Sequence, residues 1–424
     1  MPSARSERDQ QELRQTYTMY FRMGWRNIWR NPRRTAVILI AILTGVWSMI
    51  FLGALMRGIA DQMVRNGIDT LTGHIQVHRA GYRNDPSIEK SIKDTKAVEG
   101  AFHKVLPGSA RTTTRIRVNA VMSNARHSIG VTLVGIQPKQ EAAISFIGHA
   151  VKEGAYLRTD DMYGILIGKA LVEDFETKLG HKVVLMSQDS SGEIASRAFR
   201  IAGIFRAELE ATEKRFVFVT MAAAREMLKI DGISEASILL PSQGDATRVA
   251  SDLRSELPAE AYDVQTWRQL LPMVTAVLEL YDGFIFLWFI VVFVAMAFGI
   301  VNTILMAVFE RIREFGLLKA LGMKPSGILR QVVTESVMLL TVGLLGGNML
   351  GYLTVLFLSR TGIDLTFAGK GMEYVGMSRI IYPVIHGRDL MLANLVVIGL
   401  GIVVSLYPAI KAAKFKPVEA LART

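Results

Sequence analysis

The chain has 424 residues, half of them hydrophobic, with a formal net charge of +11 and no cysteine. Without cysteine it can form no disulfide, no thiol nucleophile and no thiolate metal site. The apolar residues gather into four uncharged runs, 36–56, 284–309, 336–359 and 390–410, each as long as the roughly 20 residues that carry a helix across a hydrocarbon core about 30 Å thick.

Residues 1–35 form a basic lead-in. The stretch 17–34 reads as a helix lying in the membrane surface, with Arg22, Arg26 and Arg30 recurring every fourth residue and Phe21, Trp25, Ile28 and Trp29 on another face. Arginine for headgroups and tryptophan for the interface is the expected pattern of an anchor helix. Asn31-Pro32 ends it. The first span, 36–56, starts too late and runs too long for the 7–15 residue apolar core of a cleavable signal, so it reads as an uncleaved anchor.

Residues 57–283 are soluble in character and mix strand and helix patterns. Strands are expected at 74–78, 115–122, 128–136, 182–187 and 215–220, and helices at 169–179, 221–230 and 245–257. The fold class is therefore a four-span α-helical membrane protein with a large α/β domain between spans one and two. The polar helical stretches that leave the first span and enter the second read as a stalk.

No catalytic or nucleotide motif emerges. The nearest approach to a Walker A loop, "GILIGKA" at 164–170, is one residue short between its glycines and has Ala170 where a hydroxyl should bind magnesium. His74 and His78 share a strand face, but no third ligand is recognisable nearby, so they make a poor metal site. No G-x-S-x-G is present.

The second span, 284–309, leads into a charged segment, 310–330, that stands before the third span, 331–359. In this segment Ile312, Phe315, Leu318 and Leu321 can share one side, with Arg311, Glu314 and Lys319 elsewhere, and Gly322 and Lys324-Pro325 stop it. The periodicity alone suits either an interfacial helix or a docking helix. The third span carries Gly343, Gly347 and Gly351 at intervals of four, which let another helix approach closely, in this chain or in a second copy. Its one ionisable residue is Glu335, expected at the interface near Arg330 or the headgroups. The spans thus lack the mid-membrane charges of an ion pathway. A loop, 360–389, a fourth span, 390–410, and a basic tail, 411–424, complete the chain. The basic residues fall in the lead-in, in 310–330 and in the tail, which places that side in the cytoplasm and the domain and 360–389 outside. The positive charge is thereby topological, and no nucleic acid is called for.

The segment "ERIREFGLLKALGM" resembles the coupling segment of the MacB/LolCE/FtsX superfamily of ABC-transporter permeases, whose pattern is close to E-R-x-x-E-(I/F)-G-x-(L/M)-(R/K)-A-(L/I)-G-(A/M). The resemblance extends to "GWRNIWRNPRRT", "VTLVGIQP", "VKEGAYL", "ILIGKALVEDFETKLGHKVVL", "FRIAGIF", "QVVTESVMLLTVGLLGGNMLGY" and "YPAIKAAKFKPVEALR", all in family order. It implies that 310–330 is a coupling helix, in which Glu310, Arg311, Glu314, Phe315, Gly316, Leu318, Lys319, Leu321 and Gly322 connect the chain to an ATPase. It implies as partners two copies of a separate cytoplasmic ATPase holding ATP and magnesium, a second permease subunit (identical or related), membrane lipids, and a periplasmic carrier or adaptor. Residues 1–16 leave no room for the fused ATPase of MacB, and Gly180-His181 stands where the family often has G-D. Size and layout are most similar to the lipoprotein-releasing permeases of the bacterial inner membrane. Trp47, Phe51, Phe286, Phe289 and Phe293 are then expected to line a cavity for acyl chains. A MacB-like mechanotransmission permease and an FtsX-like regulator of a cell-wall hydrolase are the alternatives.

Overall fold

The computed structural model of the protein describes residues 22–365 and 380–415. Residues 17–21 of the lead-in helix, and Lys416 and Arg423 of the tail, lie outside them. Four described helices are long and apolar enough to cross a membrane, beginning at Pro32, Pro272, Pro325 and Gly387. Helix is the form these runs take because it satisfies every backbone polar group within the segment. The chain separates into a helical unit, made of residues up to Ile59, Glu279–Ile363 and those from Ile381, and an inserted unit, Ala60–Leu278 with Asp364–Ile380.

In the helical unit, residues 22–28 are helical and a turn at 29–30 precedes the first long helix, Pro32–Gly67. The second, Pro272–Glu310, has 39 residues, about 58 Å at 1.5 Å per residue. A short helix, Ile312–Ala320, follows a one-residue break at Arg311. The third, Pro325–Thr361, begins with proline in its first turn, where the missing N–H costs nothing. The fourth is Gly387–Lys414.

The first and third long helices meet along the glycine row. A Cβ on Gly343 would lie 2.6 Å from Ile42 Cγ2, one on Gly347 2.6 Å from Val46 Cβ, and one on Gly351 3.0 Å from Ile50 Cβ. Bare glycine backbone is what lets these β-branched residues seat themselves. The row is thus a seam within one chain. Polar glue adds to the bundle where Asn348 Nδ2 donates to Asn394 Oδ1 at 2.7 Å and Asn394 Nδ2 to Asn348 Oδ1 at 3.1 Å.

The inserted unit is α/β. Its ten strands are β1 (Ile75–Arg79), β2 (Arg111–Ser123), β3 (Ser128–Ile136), β4 (Val151–Gly154), β5 (Gly164–Gly168), β6 (Lys182–Gln188), β7 (Ile194–Phe205), β8 (Phe216–Thr220), β9 (Glu235–Leu239) and β10 (Tyr262–Thr266). They pair in the order β10-β1-β9-β2-β3-β8-β5-β7-β4, and β6 pairs with both β2 and β7. The circuit β2-β3-β8-β5-β7-β6 therefore returns to β2 and closes on itself. The length of β2 permits this, since residues 111–115 pair with β9 while 121–123 pair with β6. "GILIG", close to a phosphate loop by spelling, is the fully buried strand β5. The helix expected at 169–179 stops at Asp174, and Glu176 turns the chain with φ 45°. The helix expected at 221–230 runs Met221–Leu228, capped by Thr220, whose side chain accepts from the Ala223 N–H. His74 and His78 are buried and already engaged: His74 Nδ1 accepts from the Leu240 N–H at 2.9 Å, and His78 is bonded to Gln76 and the Ser234 carbonyl.

Candidate functional site

The break at Arg311 turns the chain so that the Ile312–Ala320 helix lies against the helical bundle. Ile312 and Phe315 are buried, and Leu318 is half-buried against the same core. Gly316 is buried too, so the helix contacts the bundle along a narrow strip. Leu317 and Leu321 are left outside at 55% and 76% exposure. The spacing puts Leu321 on one side with Ile312, Phe315 and Leu318, and the structure parts it from them. It follows the last helical residue, and Gly322, at φ 96°, turns the chain away immediately after it.

Arg311 is the centre of the site. Its side chain is only 7% exposed, and its guanidinium carbon sits 5.1 Å from the centre of the Phe315 ring. Nε donates to Glu314 Oε2 at 3.1 Å, and Nη1 donates to Glu335 Oε1 and Oε2 at 2.9 and 2.8 Å. Glu335 also accepts from Asn27 Nδ2 at 2.7 Å, and Glu314 from Arg30 at 2.7 Å. Arg34 donates to Glu310 at 2.7 Å. A chain of ionic hydrogen bonds thus ties the short helix to the lead-in helix and to the start of the third long helix. Such bonds are stronger than neutral ones, and a buried charge persists only when paired in this way. Burial alone would raise the Glu314 carboxyl, but the bonds from Arg311 and Arg30 outweigh it and hold the group below the ordinary carboxylate range.

Two features of this arrangement differ from the sequence reading. Glu335 is held by Arg311 and Asn27, not by Arg330, because the turn at Arg311 brings that guanidinium beneath the third helix. The lead-in segment is more than an anchor: Trp25 and Trp29 face outward at 45% and 55% exposure, while Asn27 reaches Glu335 of the third long helix and Arg30 reaches Glu314 of the short helix. On the other flank Lys319 Nζ donates to the carbonyls of Ala413 and Phe415 at 2.6 and 2.7 Å. A lysine there both satisfies the orphan carbonyls at the end of the fourth helix and suits its dipole.

The aromatic residues expected to line a cavity divide. Trp47 and Phe51 stack with ring centres 5.6 Å apart, and Trp47 Nε1 donates to Thr354 at 3.2 Å. Phe286 is exposed at 52%, whereas Phe289 and Phe293 are buried at 1% and 4%. Phe289 fills the notch left by Gly53 on the first helix, 3.6 Å from where a Cβ would be. Phe289 and Phe293 are therefore packing residues of the single chain.

At the other end of the helices stands a second ionic node. Arg57 of the first helix bonds Asp389 at the start of the fourth through Nε at 2.5 Å and Nη2 at 3.0 Å, and reaches Asp282 of the second at 2.6 Å.

Four spans, a domain inserted after the first and a short helix clamped between the second and third define a permease subunit of ABC-transporter type. Two family models match the chain, one described as the MacB-like periplasmic core domain over residues 35–256 and one as the FtsX-like permease C-terminal domain over residues 285–417. The chain belongs to this MacB/LolCE/FtsX superfamily of permeases. The lipoprotein-releasing system transmembrane protein LolC of Xylella fastidiosa is 24% identical over 330 residues, 74% of this chain and 78% of that protein. LolE of Haemophilus influenzae is 20% identical over 429 residues, 95% of this chain and 98% of that protein. The macrolide export ATP-binding/permease protein MacB of Nitrobacter winogradskyi is 24% identical over 422 residues, 93% of this chain but 58% of that protein.

Proposed function

We propose that the chain is the permease subunit of an ABC transporter that extracts lipoproteins or related lipids from the inner membrane and hands them to a periplasmic carrier. The supporting observation is length-for-length similarity to lipoprotein-releasing transmembrane proteins, 95% of this chain against 98% of LolE. The basic lead-in, the 310–330 segment and the tail lie in the cytoplasm, by the positive-inside rule. There two copies of a separate ATPase, carrying ATP and magnesium, engage the short helix through exposed Leu317 and Leu321. Glu310, Arg311, Glu314, Phe315, Gly316, Leu318, Lys319 and Gly322 hold that helix as a handle, and movement of it passes through Glu335 and Asn27 to the third and lead-in helices. A second permease subunit completes the pair. Trp47, Phe51 and Phe286 are the positions left to meet acyl chains, and Phe289 and Phe293 shape the helices behind them.

The test is in-cell photocrosslinking from positions 47 and 286, with mass spectrometry of the adducts. Acylated lipoproteins captured only when the ATPase is active are the expected result. Adducts confined to bulk phospholipid would sink the extraction reading. A MacB-like machine that drives export through force alone is the second reading, favoured by 24% identity to MacB over 93% of this chain. It predicts co-purification with a periplasmic adaptor and no acyl adducts.

A further inference from the structure

A cleft in the inserted unit carries charges that transport does not use. It encloses about 400 Å³, within the roughly 300–1,000 Å³ of small-molecule sites. Gln76, His78, Arg117, Arg215 and Glu235 line it, with Thr72 and Leu271 at its edge.

Glu235 is 1% exposed and its Oε1 accepts from Arg115 Nη1 at 2.9 Å. Its Oε2 is buried without a hydrogen-bond partner among the described residues, with the Arg117 guanidinium at 3.6 Å. A buried carboxylate oxygen in that state is costly and calls for a donor. Arg117 and Arg215 both approach the Phe216 ring, their guanidinium carbons 5.3 and 5.5 Å from its centre. Among the described residues no carboxylate pairs with Arg215. Partial burial first, and then the like charge of Arg117, pull the Arg215 guanidinium below its ordinary range. Burial likewise lowers His78 and favours its neutral form. Two guanidiniums beside one ring, one of them without a carboxylate among the described residues, leave positive charge in the cleft that an oxyanion would offset.

We propose that this cleft binds a small molecule bearing an oxyanion and a hydrogen-bond donor, the oxyanion between Arg117 and Arg215 and the donor on Glu235 Oε2. Its location bears on the end of the first long helix. Gln76, in the cleft wall, donates to the Leu71 carbonyl at 2.8 Å, and Leu71 itself sits in a left-handed kink at φ 67°. An occupant beside Gln76 therefore bears on the kink where that helix ends.

The experiment is calorimetric titration of the full chain in phosphatidylcholine nanodiscs, with glutamate and, separately, with inorganic phosphate. Saturable binding of glutamate alone identifies a carboxylate ligand with an ammonium donor; saturable binding of phosphate alone identifies a phosphoryl ligand. Either supports the site. Arg215→Gln, on the exposed rim, should weaken binding about tenfold or more, since a hydrogen bond to a charged group contributes roughly 1.5–3 kcal/mol. The unliganded variant should melt no lower than the parent, because a charge repelled by Arg117 is removed. Absence of saturable binding by both probes, or equal affinity in Arg215→Gln, overturns the proposal.

Discussion

The two ends of the helical unit solve the same problem with one arginine each, and differ in what they tie. Arg57 joins three long helices, the first, second and fourth, through two aspartates. Arg311 joins a short helix to the third long helix and to the lead-in segment, through two glutamates and, via those, Asn27 and Arg30. Between them the bundle is held by glycine seams and an asparagine pair. Ionic groups at the ends and small residues in the middle follow from the cost of charge in hydrocarbon. The lesson lies in the partners. In each node one carboxylate is buried with its arginine, Asp389 at 10% and Glu335 at 16% exposure, and the other stands half in solvent, Asp282 at 50% and Glu314 at 47%. The nodes therefore differ less in burial than in what they hold, and only the Arg311 node lies at the proposed ATPase surface.

The largest expected effect comes from Arg311→Met, which strands Glu335. Removing one member of a buried pair costs about 3–5 kcal/mol, and thermal denaturation in detergent should show it together with loss of ATPase association. Arg57→Met should cost a similar amount of stability, because it strands Asp389 at 10% exposure, but should leave ATPase association intact. Loss of ATPase association in both variants would erase the contrast between the nodes.

Gly347→Ala tests the seam between them. Its Cβ would fall 2.6 Å from Val46 and 3.0 Å from the Leu43 carbonyl oxygen, so overpacking of about 1–3 kcal/mol is expected. Gly299→Ala, with no atom within 4 Å of its Cβ, is the matched control and should leave stability unchanged.

Acid should loosen the Arg311 node at Glu314. The carboxyl is held below its ordinary range, so its contribution is fully present above the unfolded value, about 4.3, and is lost as pH falls through the lower folded value. The stability difference between the parent and Glu314→Gln should therefore be constant at neutral pH and vanish on acidification. A difference that instead grows on acidification would contradict the geometry. Leu321→Asp has the smallest structural effect, within about 0.5 kcal/mol for an exposed site, yet should abolish ATPase co-purification if the exposed leucines are the docking face.

Much of the architecture was legible from residues alone, for reasons specific to membranes. Spans announce themselves because hydrocarbon demands a long uncharged helix, and the strands at 128–136 and 182–187 alternate clearly enough to be read. Five strands were not read from sequence, β4, β5, β7, β9 and β10. The apolar spelling of β5 is the same for a buried strand as for other buried elements, and the pairing of β2 with β6 and β9 at once depends on contacts far apart in the chain. The motif at 310–322 marked the site, but its residue types do not say which side faces inward.

Sequence by itself determined the four helices, the inserted α/β domain and the charge asymmetry, because each rests on local composition and periodicity, and the family resemblance marked the segment at 310–322. Tertiary structure alone decided that Arg311 holds Glu335, that Leu317 and Leu321 are the free face, that the glycine row meets Ile42, Val46 and Ile50, and that Phe289 and Phe293 are packing residues. Those outcomes depend on which distant side chains meet, and that is set by how the helices pack.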